Sequence, residues 1–260
     1  MRILLVGDTH RNVTFLTEIF QTARREACEQ IIQLGDFGFG WQWLSVGDGL
    51  EICRFSAVAS ILVEQTGIPL SFLDGNHENF DRLADHSLQA DGTREVAPGV
   101  LHLPRGHRFE LEGCSFLTLG GAVSLDKMAR TEGTSWWSQE SVTLDDVLAC
   151  GRAPVDVLLT HDMPLESGFR PERPISGFGV SADLAWYRNR LRVTEVLEAT
   201  SPTWVFHGHL HHRYERDLRP ERATTIVGLA SDRHPVDEAC VVFDTEARRY
   251  SALSSASVPS

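Results

Sequence analysis

The sequence predicts an α/β fold of four layers, an α-β-β-α sandwich in which two mixed β-sheets stack and helices cover their outer faces. Two observations lead to this prediction. Between residues 2 and 73, short apolar runs alternate with segments of helical period, a pattern typical of right-handed βαβ crossovers and a parallel sheet. A second strand-rich part, also accompanied by helical segments, follows between residues 99 and 252. Two strand-rich parts predict two sheets.

The first part opens on the apolar run RILLVG (2–7), which is closed by Gly and Asp and predicts a strand buried on both faces. The next segment has apolar residues at helical spacing, and Asn12 directly before them is a suitable N-cap. The predicted elements of this part are strands over 2–7, 31–34 and 69–73 and helices over 12–27 and 51–66.

The second part begins with residues 99–121, where short β-like runs alternate with Pro-Arg-Gly and Glu-Gly turns, and this pattern predicts a hairpin meander. Residues 138–150 predict a helix with Ser138 as its N-cap and Glu140 in its first turn. The remaining predicted elements are strands over 155–159 and 203–206, a helix over 181–200, and four β-like runs after residue 211.

Length, charge and cysteine usage limit the class of protein. A chain of 260 residues is long enough for a substantial core, and we expect one domain over residues 1–253 with a short flexible tail over 254–260. The net charge of −12 disfavours extended nucleic acid as a partner, whereas a small phosphorylated molecule fits. The five cysteines never form a C-x-x-C pair, which predicts reduced core thiols. No apolar run approaches the roughly 20 residues of a membrane span and no signal peptide precedes the first strand, so we expect a cytoplasmic protein without membrane contact.

Five short clusters of Asp, Asn and His each follow a predicted strand. They are Asp8-Thr9-His10, Gly35-Asp36, Gly75-Asn76-His77-Glu78, His161-Asp162 and Gly208-His209-Leu210-His211. Because strands deliver such residues to one edge of a sheet, we expect the clusters to converge in space. Carboxylate, amide and imidazole groups are the ligand types that hold divalent metals of mixed oxygen and nitrogen preference. The sequence therefore predicts a hydrolytic site with two metals.

Several of these residues suit particular places in such a site. Two ions about 3.5–4 Å apart repel each other, and a carboxylate that touches both relieves the repulsion. Asp36, in a glycine-rich turn, is well placed for this bridging role. His209 and His211 are two residues apart, so they reach separate metals only if their segment is a tight turn rather than a strand. The amide oxygen of Asn76 is a neutral ligand that a hard or borderline cation accepts.

In order along the chain, the clusters read D-x-H, G-D, G-N-H-[DE], a lone His after a strand, and G-H-x-H, and they extend from Asp8 to His211. This pattern resembles the calcineurin-like metallophosphoesterases. The resemblance implies a phosphoesterase with two divalent ions and a bridging hydroxide that attacks phosphorus in line. It implies that one ion is held by Asp8, His10 and His211, that the other is held by Asn76, His161 and His209, and that Asp36 bridges the two. His77 would be the general acid or a cationic stabiliser of the transition state.

The sequence departs from one branch of that family. Protein Ser/Thr phosphatases extend G-D into G-D-x-x-D-R-G, whereas this chain has GDFGFGWQW, which argues against a protein phosphatase. Arg11 stands where relatives often have Gly, and it either clamps a phosphate or is a solvated residue at the helix entry. Residues 124–137 form either a substrate wall or a loop that packs a Trp pair on the core; the side chains concerned are Lys127, Arg130, Trp136 and Trp137. A second candidate wall contains Arg170, Arg173, Arg188 and Arg190.

The missing D-R-G and the aromatic residues favour phosphodiesters, in particular cyclic or short nucleotides whose base stacks on an aromatic ring. The alternatives are a phosphomonoesterase, a nuclease or end-processing enzyme acting on nucleic-acid ends, and a non-enzymatic metal-binding scaffold. Scaffold relatives typically lose the acid His, whereas His77 is present here. The ligand set does not choose the metal; Mn²⁺ is the first expectation, with Fe, Zn²⁺ or Ni²⁺ as alternatives.

Overall fold

The computed structural model describes residues 1–45, 51–168, 180–219 and 223–253, so the predicted tail at 254–260 lies outside the described residues. Its strands are β1 (Arg2–Val6), β2 (Gln30–Gln33), β3 (Trp43–Ser45), β4 (Glu51–Cys53), β5 (Leu70–Phe72), β6 (Arg94–Ala97), β7 (Val100–His102), β8 (Arg108–Leu111), β9 (Cys114–Leu119), β10 (Val157–Thr160), β11 (Trp204–His207), β12 (Tyr214–Asp217), β13 (Thr225–Gly228), β14 (Cys240–Asp244) and β15 (Arg249–Ala252). Its α-helices are α1 (Val13–Arg25), α2 (Arg54–Thr66), α3 (Phe80–Ala84), α4 (Leu144–Cys150), α5 (Val180–Thr200) and α6 (Val236–Ala239). Short 3₁₀ turns span Lys127–Ala129, Ser138–Glu140 and Leu165–Ser167.

Two large mixed sheets form the centre of the fold. The first has the strand order β15-β14-β1-β2-β5-β7-β6, in which β1, β2, β5 and β7 run parallel and the outer strands pair antiparallel. The second has the order β12-β13-β11-β10-β9-β8, in which β9, β10, β11 and β13 run parallel. The three runs predicted as successive strands are adjacent in the first sheet, so the predicted βαβ arrangement is confirmed.

The apolar strands are buried on both faces because the sheets pack on each other and helices cover their outer faces. In β1, Ile3 and Leu5 belong to the core between the sheets, together with Phe206 of the second sheet. Leu4 and Val6 belong to the core under α1 and α2. This alternation is the two-residue period of a strand, with both faces apolar. Because α4 and α5 pack on the far side of the second sheet, the predicted four-layer sandwich is confirmed.

The helix boundaries follow local capping and pairing. The side chain of Asn12 accepts a hydrogen bond from the Phe15 amide at 3.1 Å, which confirms the predicted N-cap of α1. The second helix was predicted over residues 51–66, but α2 begins only at Arg54. Residues Glu51–Cys53 are extended instead because they pair antiparallel with β3.

The prediction of a hairpin meander over residues 99–121 is correct for its last two strands and wrong for its first. The strand β7 pairs parallel with β5 in the first sheet, whereas β8 and β9 form a hairpin in the second sheet. The Pro-Arg-Gly turn between them carries the chain from one sheet to the other. Its Gly106 has a φ of +79°, a backbone conformation that favours glycine. Short β-like runs separated by turns do not reveal which sheet each strand joins.

The prediction of one helix over residues 138–150 is correct for its second half and wrong for its first. Residues Ser138–Glu140 form only a 3₁₀ turn, and α4 begins at Leu144. A capping box explains this start: the Asp146 amide donates to Thr143 Oγ1 at 3.2 Å, and the Thr143 amide donates to Asp146 Oδ2 at 2.7 Å. Glu140 is therefore not in a first helical turn, and its side chain is buried.

Replacing Thr143 with Ala is expected to lower the free energy of unfolding by about 1 kcal/mol, because the α4 cap is lost. Ser138→Ala is the matched control, since Ser138 is exposed and its hydroxyl donates to the side chain of Gln139 at 3.3 Å rather than capping a helix; its expected effect is under about 0.5 kcal/mol. Urea unfolding followed by circular dichroism measures both. Equal losses in the two variants would contradict the assignment of the cap.

The remaining predictions about the chain concern cysteines and membranes. All five cysteines are buried free thiols, in keeping with their predicted place in the core. Across the described ranges, no helix has the length and apolar character needed to cross a membrane.

Candidate metal centre

The five polar clusters lie just beyond the carboxyl ends of five parallel strands. Asp8 follows β1, Asp36 follows β2 and Asn76 follows β5 in the first sheet; His161 follows β10 and His211 comes after β11 in the second. The clusters of the two sheets meet, since His161 Nε2 lies 3.3 Å from Asp36 Oδ1 and His211 Nε2 lies 2.9 Å from Asp8 Oδ2. The site therefore straddles both sheets, and every predicted cluster contributes to it.

Four of the predicted ligands form a compact group. One ligand atom from each of Asp8, His10, Asp36 and His211 lies within 4.8 Å of the other three. His10 Nε2 is 3.4 Å from Asp36 Oδ2 and 3.8 Å from Asp8 Oδ2. The two carboxylates are buried, whereas the two imidazoles are half-buried. This donor set, open to solvent on its imidazole side, fits a divalent cation.

A second group of predicted ligands lies on the other side of Asp36. The ring of His161 donates from Nδ1 to the Leu34 carbonyl at 2.7 Å, which leaves Nε2 as an acceptor when the ring is neutral. That nitrogen and Asn76 Oδ1 are both buried without a hydrogen-bond partner. The His209 ring lies 5.1 Å from the His161 ring, centroid to centroid. A buried amide oxygen without a donor is costly, and a cation would satisfy it. A cation beside His161 would likewise take the place of a proton on Nε2.

Asp36 lies between the two groups and faces both of them. Its Oδ1 atom is 3.3 Å from His161 Nε2 and accepts a hydrogen bond from the His77 amide at 2.8 Å. Its Oδ2 atom is directed to the other group, 3.4 Å from His10 Nε2. One carboxylate oxygen toward each group is the arrangement that the predicted bridging role requires.

Two imidazoles beside these carboxylates, those of His10 and His161, have raised pKa values. Burial lowers the pKa of His10, but hydrogen bonding and attraction to Asp36 outweigh it and raise that pKa to about 9. Burial acts in the same direction on His161, whose pKa nevertheless rises to about 10 because Asp36 lies beside it. Burial would raise the pKa of Asp36, but His77 and His161 hold it well below its usual value. Metal binding requires neutral imidazoles, so a divalent cation would replace these protons as the source of positive charge.

The segment 208–211 is a tight turn, as the predicted use of both its histidines requires. His209 and His211 have φ values of +65° and +53°, a left-handed backbone that costs about 1–3 kcal/mol at such residues. Gly208 is necessary there because a Cβ at this position would lie 2.2 Å from Asp8 Oδ1. As a result, His211 joins the group around Asp8, whereas His209 lies beside His161.

Glu78 holds two ligand-bearing loops together. Its Oε1 accepts from the Gly38 amide at 3.0 Å and its Oε2 accepts from the Gly75 amide at 2.7 Å. Burial, with the neighbouring Asp36 charge, raises the pKa of Glu78 to about 8. The sequence pattern placed Glu78 in a cluster but gave it no role; its role is to connect the loops after β2 and β5.

The sequence analysis missed Asp232. Its Oδ1 lies 2.8 Å from His10 Nδ1, and its Oδ2 accepts from Asn12 Nδ2 at 3.1 Å. A carboxylate on the outer nitrogen of a histidine fixes which nitrogen faces a metal. Asp232 follows β13, a parallel strand of the second sheet. The signal that revealed the other clusters, a polar residue after a buried strand, is therefore present here as well.

The mouth of the site is formed by Arg11, Trp41, His77 and Arg130, which we call the rim. Trp41 Nε1 donates to the His77 carbonyl at 2.6 Å, and the Arg11 guanidinium lies 5.0 Å from the centre of the Trp41 ring. Arg130 Nη2 lies 3.1 Å from His77 Nε2. Burial lowers the pKa of His77. The rim thus brings two guanidinium groups and one indole ring next to the predicted acid.

The segment 124–137 contributes Arg130 to the rim, but its Trp pair packs inward. Trp136 and Trp137 are 8% and 3% exposed. Trp137 Nε1 donates to Asp81 Oδ2 at 2.8 Å, and Lys127 Nζ lies 3.8 Å from the Trp136 ring centre. Of the two interpretations of these tryptophans, packing of the loop on the core is the one that the structure supports.

The second candidate wall does not reach the metal centre. Arg170 and Arg173 lie outside the described residues. Arg188 is exposed on α5, and Arg190 donates to the Pro164 carbonyl at 3.3 Å while its guanidinium covers the Trp186 ring. These contacts hold the loop after β10 against α5.

The fold and the donor set agree with comparison to known proteins. A family model for calcineurin-like phosphoesterases matches residues 1–213, and the chain belongs to that family. The family consists of binuclear metal-dependent hydrolases, and the group around Asp8 and Asp36 is a candidate metal site of this chain. The match ends before Asp232, which lies beyond the family model.

Several solved structures match the chain over most of its length. A Thermus thermophilus protein has a TM-score of 0.56 at 12% identity, with 96% of each chain covered. A dimetal phosphatase of Danio rerio has a TM-score of 0.47 at 11% identity, covering 93% of this chain and 91% of that chain. An archaeal phosphodiesterase has a TM-score of 0.44 at 12% identity, covering 96% and 98%. The Thermus likeness shows the fold alone. No curated protein sequence matches the chain significantly.

Proposed function

We propose that the chain is a binuclear metal-dependent phosphoesterase that hydrolyses phosphodiesters, with cyclic or short nucleotides as the substrate class. The observation that carries the proposal is the buried oxygen Asn76 Oδ1, which has no hydrogen-bond partner, together with the buried nitrogen His161 Nε2. His161 Nε2 lies across Asp36 from the compact group that contains Asp8 and His10. Ligand atoms on both sides of one carboxylate favour two cations rather than one.

Each predicted ligand has a place in this proposal. One ion would be held by Asp8, His10 and His211, the other by Asn76, His161 and His209, and Asp36 would serve both. Two bound divalent ions polarise a phosphoryl group and lower the pKa of water. Mn²⁺ suits the mixed oxygen and nitrogen donors, and Fe, Zn²⁺ and Ni²⁺ are compatible with them.

His77 is the proposed general acid. Its amide is fixed by Asp36 and its carbonyl by Trp41, whereas its side chain is 31% exposed and Nε2 lies 3.9 Å from Asp36 Oδ2. The ring therefore faces both the ligand group and the solvent, where a leaving oxygen would depart. Arg130 reaches the same ring nitrogen and is placed to donate to a phosphoryl oxygen.

Two features of the rim favour a phosphodiester as the substrate. The residues that follow Asp36 lack the carboxylate and the arginine used by protein phosphatases, so an exposed phosphomonoester on a protein has fewer partners. Trp41 is half-buried beside Arg11, and its ring offers a surface on which a nucleobase could stack. Because Trp136 and Trp137 are buried, this aromatic support rests on Trp41.

Hydrolysis of bis-p-nitrophenyl phosphate and of p-nitrophenyl phosphate tests the proposal. The protein is stripped of metal, reloaded with Mn²⁺ and assayed against a metal-free control. We expect a higher kcat/KM for the diester and no turnover without metal. Faster monoester turnover would contradict the diester preference. A protein that binds two ions and hydrolyses neither compound would contradict an enzymatic role.

A further inference from the structure

A buried carboxylate, Glu140, lies behind the proposed ligand Asn76. Glu140 is only 1% exposed, and both of its oxygens accept hydrogen bonds from Ser124: Oε1 from the backbone amide at 2.8 Å and Oε2 from the hydroxyl at 2.6 Å. Burial raises the pKa of Glu140, whereas the two hydrogen bonds from Ser124 act in the opposite direction and favour the ionised form. Placing a carboxylate in the interior is costly, so a particular structural task is the natural reason for its presence.

The order of donors and acceptors along this chain of contacts is fixed by Glu140. An ionised carboxylate can only accept, so the single hydroxyl hydrogen of Ser124 is directed at Glu140. The hydroxyl oxygen can then only accept from its other neighbour, Asn76 Nδ2, at 3.0 Å. The NH₂ group of Asn76 is thereby held toward Ser124, and its Oδ1, buried without a partner, is turned the other way.

We propose that Glu140, acting through Ser124, is a positioning residue that determines which atom of the Asn76 amide faces the metal. The inference rests on the proposed two-ion site. The oxygen and nitrogen of an amide are nearly equal in shape, so shape alone does not orient Asn76. With the opposite orientation the NH₂ group would face the cation and repel it. The negative charge of Glu140 excludes that orientation.

The same contacts connect the metal ligand to the loop that carries Arg130. The Ser124–Glu140 pair joins the two ends of residues 125–139, so that this segment is a closed loop. Arg105 holds the C-terminal end of this loop, because it donates to the carbonyls of Gln139 at 2.8 Å and Glu140 at 3.1 Å. The same guanidinium donates to Asp74 Oδ2 at 2.8 Å, two residues before Asn76. The substrate-facing loop and the Asn76 ligand therefore share one anchor.

Metal titration of Glu140→Gln and Ser124→Ala tests this inference. A glutamine at 140 can donate to the Ser124 hydroxyl, which frees that hydroxyl to donate to Asn76 and lets the amide turn. We expect each variant to hold one Mn²⁺ as tightly as the wild type and the other about 10- to 100-fold more weakly. Isothermal titration calorimetry of the metal-free proteins gives both affinities, and electron paramagnetic resonance reports loss of the coupled Mn²⁺ pair.

Glu132→Gln is the matched control, because it makes the same change at an exposed position of the same loop and is expected to bind both ions normally. Two ions at wild-type affinity in both Glu140→Gln and Ser124→Ala would overturn the inference. The inference would also be overturned if the affinities for both ions fell equally and the melting temperature of the metal-free protein fell as well. That result would mean that Glu140 has a general structural role. A wild-type protein that binds a single ion would contradict the two-ion proposal itself, and the Glu140 inference with it.

Discussion

Replacing Asp36 with Asn is expected to reduce kcat/KM for a diester by at least about a thousandfold, which corresponds to roughly 4 kcal/mol. Asn keeps the shape of the side chain and can still accept from the His77 amide through Oδ1. It removes the negative charge that lies between the two ligand groups, 3.3 Å from His161 and 3.4 Å from His10. Two cations at these positions would then repel each other without compensation.

The measurement for Asp36→Asn has two parts, metal content after dialysis and turnover of bis-p-nitrophenyl phosphate. We expect fewer than two ions per chain as well as the loss of turnover. Asp145→Asn, a change of the same kind on the exposed side of α4, is the control and should retain both ions and full activity. Full metal loading with normal turnover in Asp36→Asn would show that this carboxylate does not bridge.

Replacing His77 with Ala is expected to preserve both ions and to slow hydrolysis of substrates with poor leaving groups by about 10²- to 10⁴-fold. The ring lies beside Asp36 and Arg130 but is not part of the compact ligand group, so metal binding does not depend on it. A p-nitrophenolate leaves without protonation, whereas an alkoxide needs a proton. The loss should therefore be much smaller for p-nitrophenyl esters.

Comparing alkyl and p-nitrophenyl diesters at saturating Mn²⁺ measures this dependence on the leaving group. His107→Ala is the control, because His107 lies in the turn before β8 and stacks on Phe109. Normal turnover of the alkyl diester by His77→Ala would contradict the acid role. Equal losses with both leaving groups would indicate that His77 acts by stabilising charge rather than by donating a proton.

Much of the fold and the ligand group could be predicted because both follow from parallel strands. In β1 the alternation of Ile3 and Leu5 with Leu4 and Val6 is a local property of the sequence, and it predicts burial on both faces. Polar residues after such strands must come together at one edge. The same rule would have found Asp232, had it been applied after β13.

The remaining features depend on contacts between distant parts of the chain. Ser138 and Thr143 are both acceptable helix caps, and Asp146, which completes the box with Thr143, decides between them. Glu140, three residues before Thr143, has the local pattern of a surface residue in a first helical turn. Its partner Ser124 is 16 residues away, so its burial could not be predicted from neighbouring residues.

The position of the candidate metal centre between the two sheets would have a consequence for the stability of the whole molecule. Asp8, Asp36 and Asn76 extend from the first sheet, whereas His161 and His211 extend from the second. Ions bound by ligands from both sheets would cross-link the two sheets at this edge. Unlike a disulfide, this cross-link would be reversible. By mass action, an ion at a hundred times its Kd would add about 2.7 kcal/mol to the free energy of unfolding. The concentration of free metal would thus affect the stability of the fold as well as its activity.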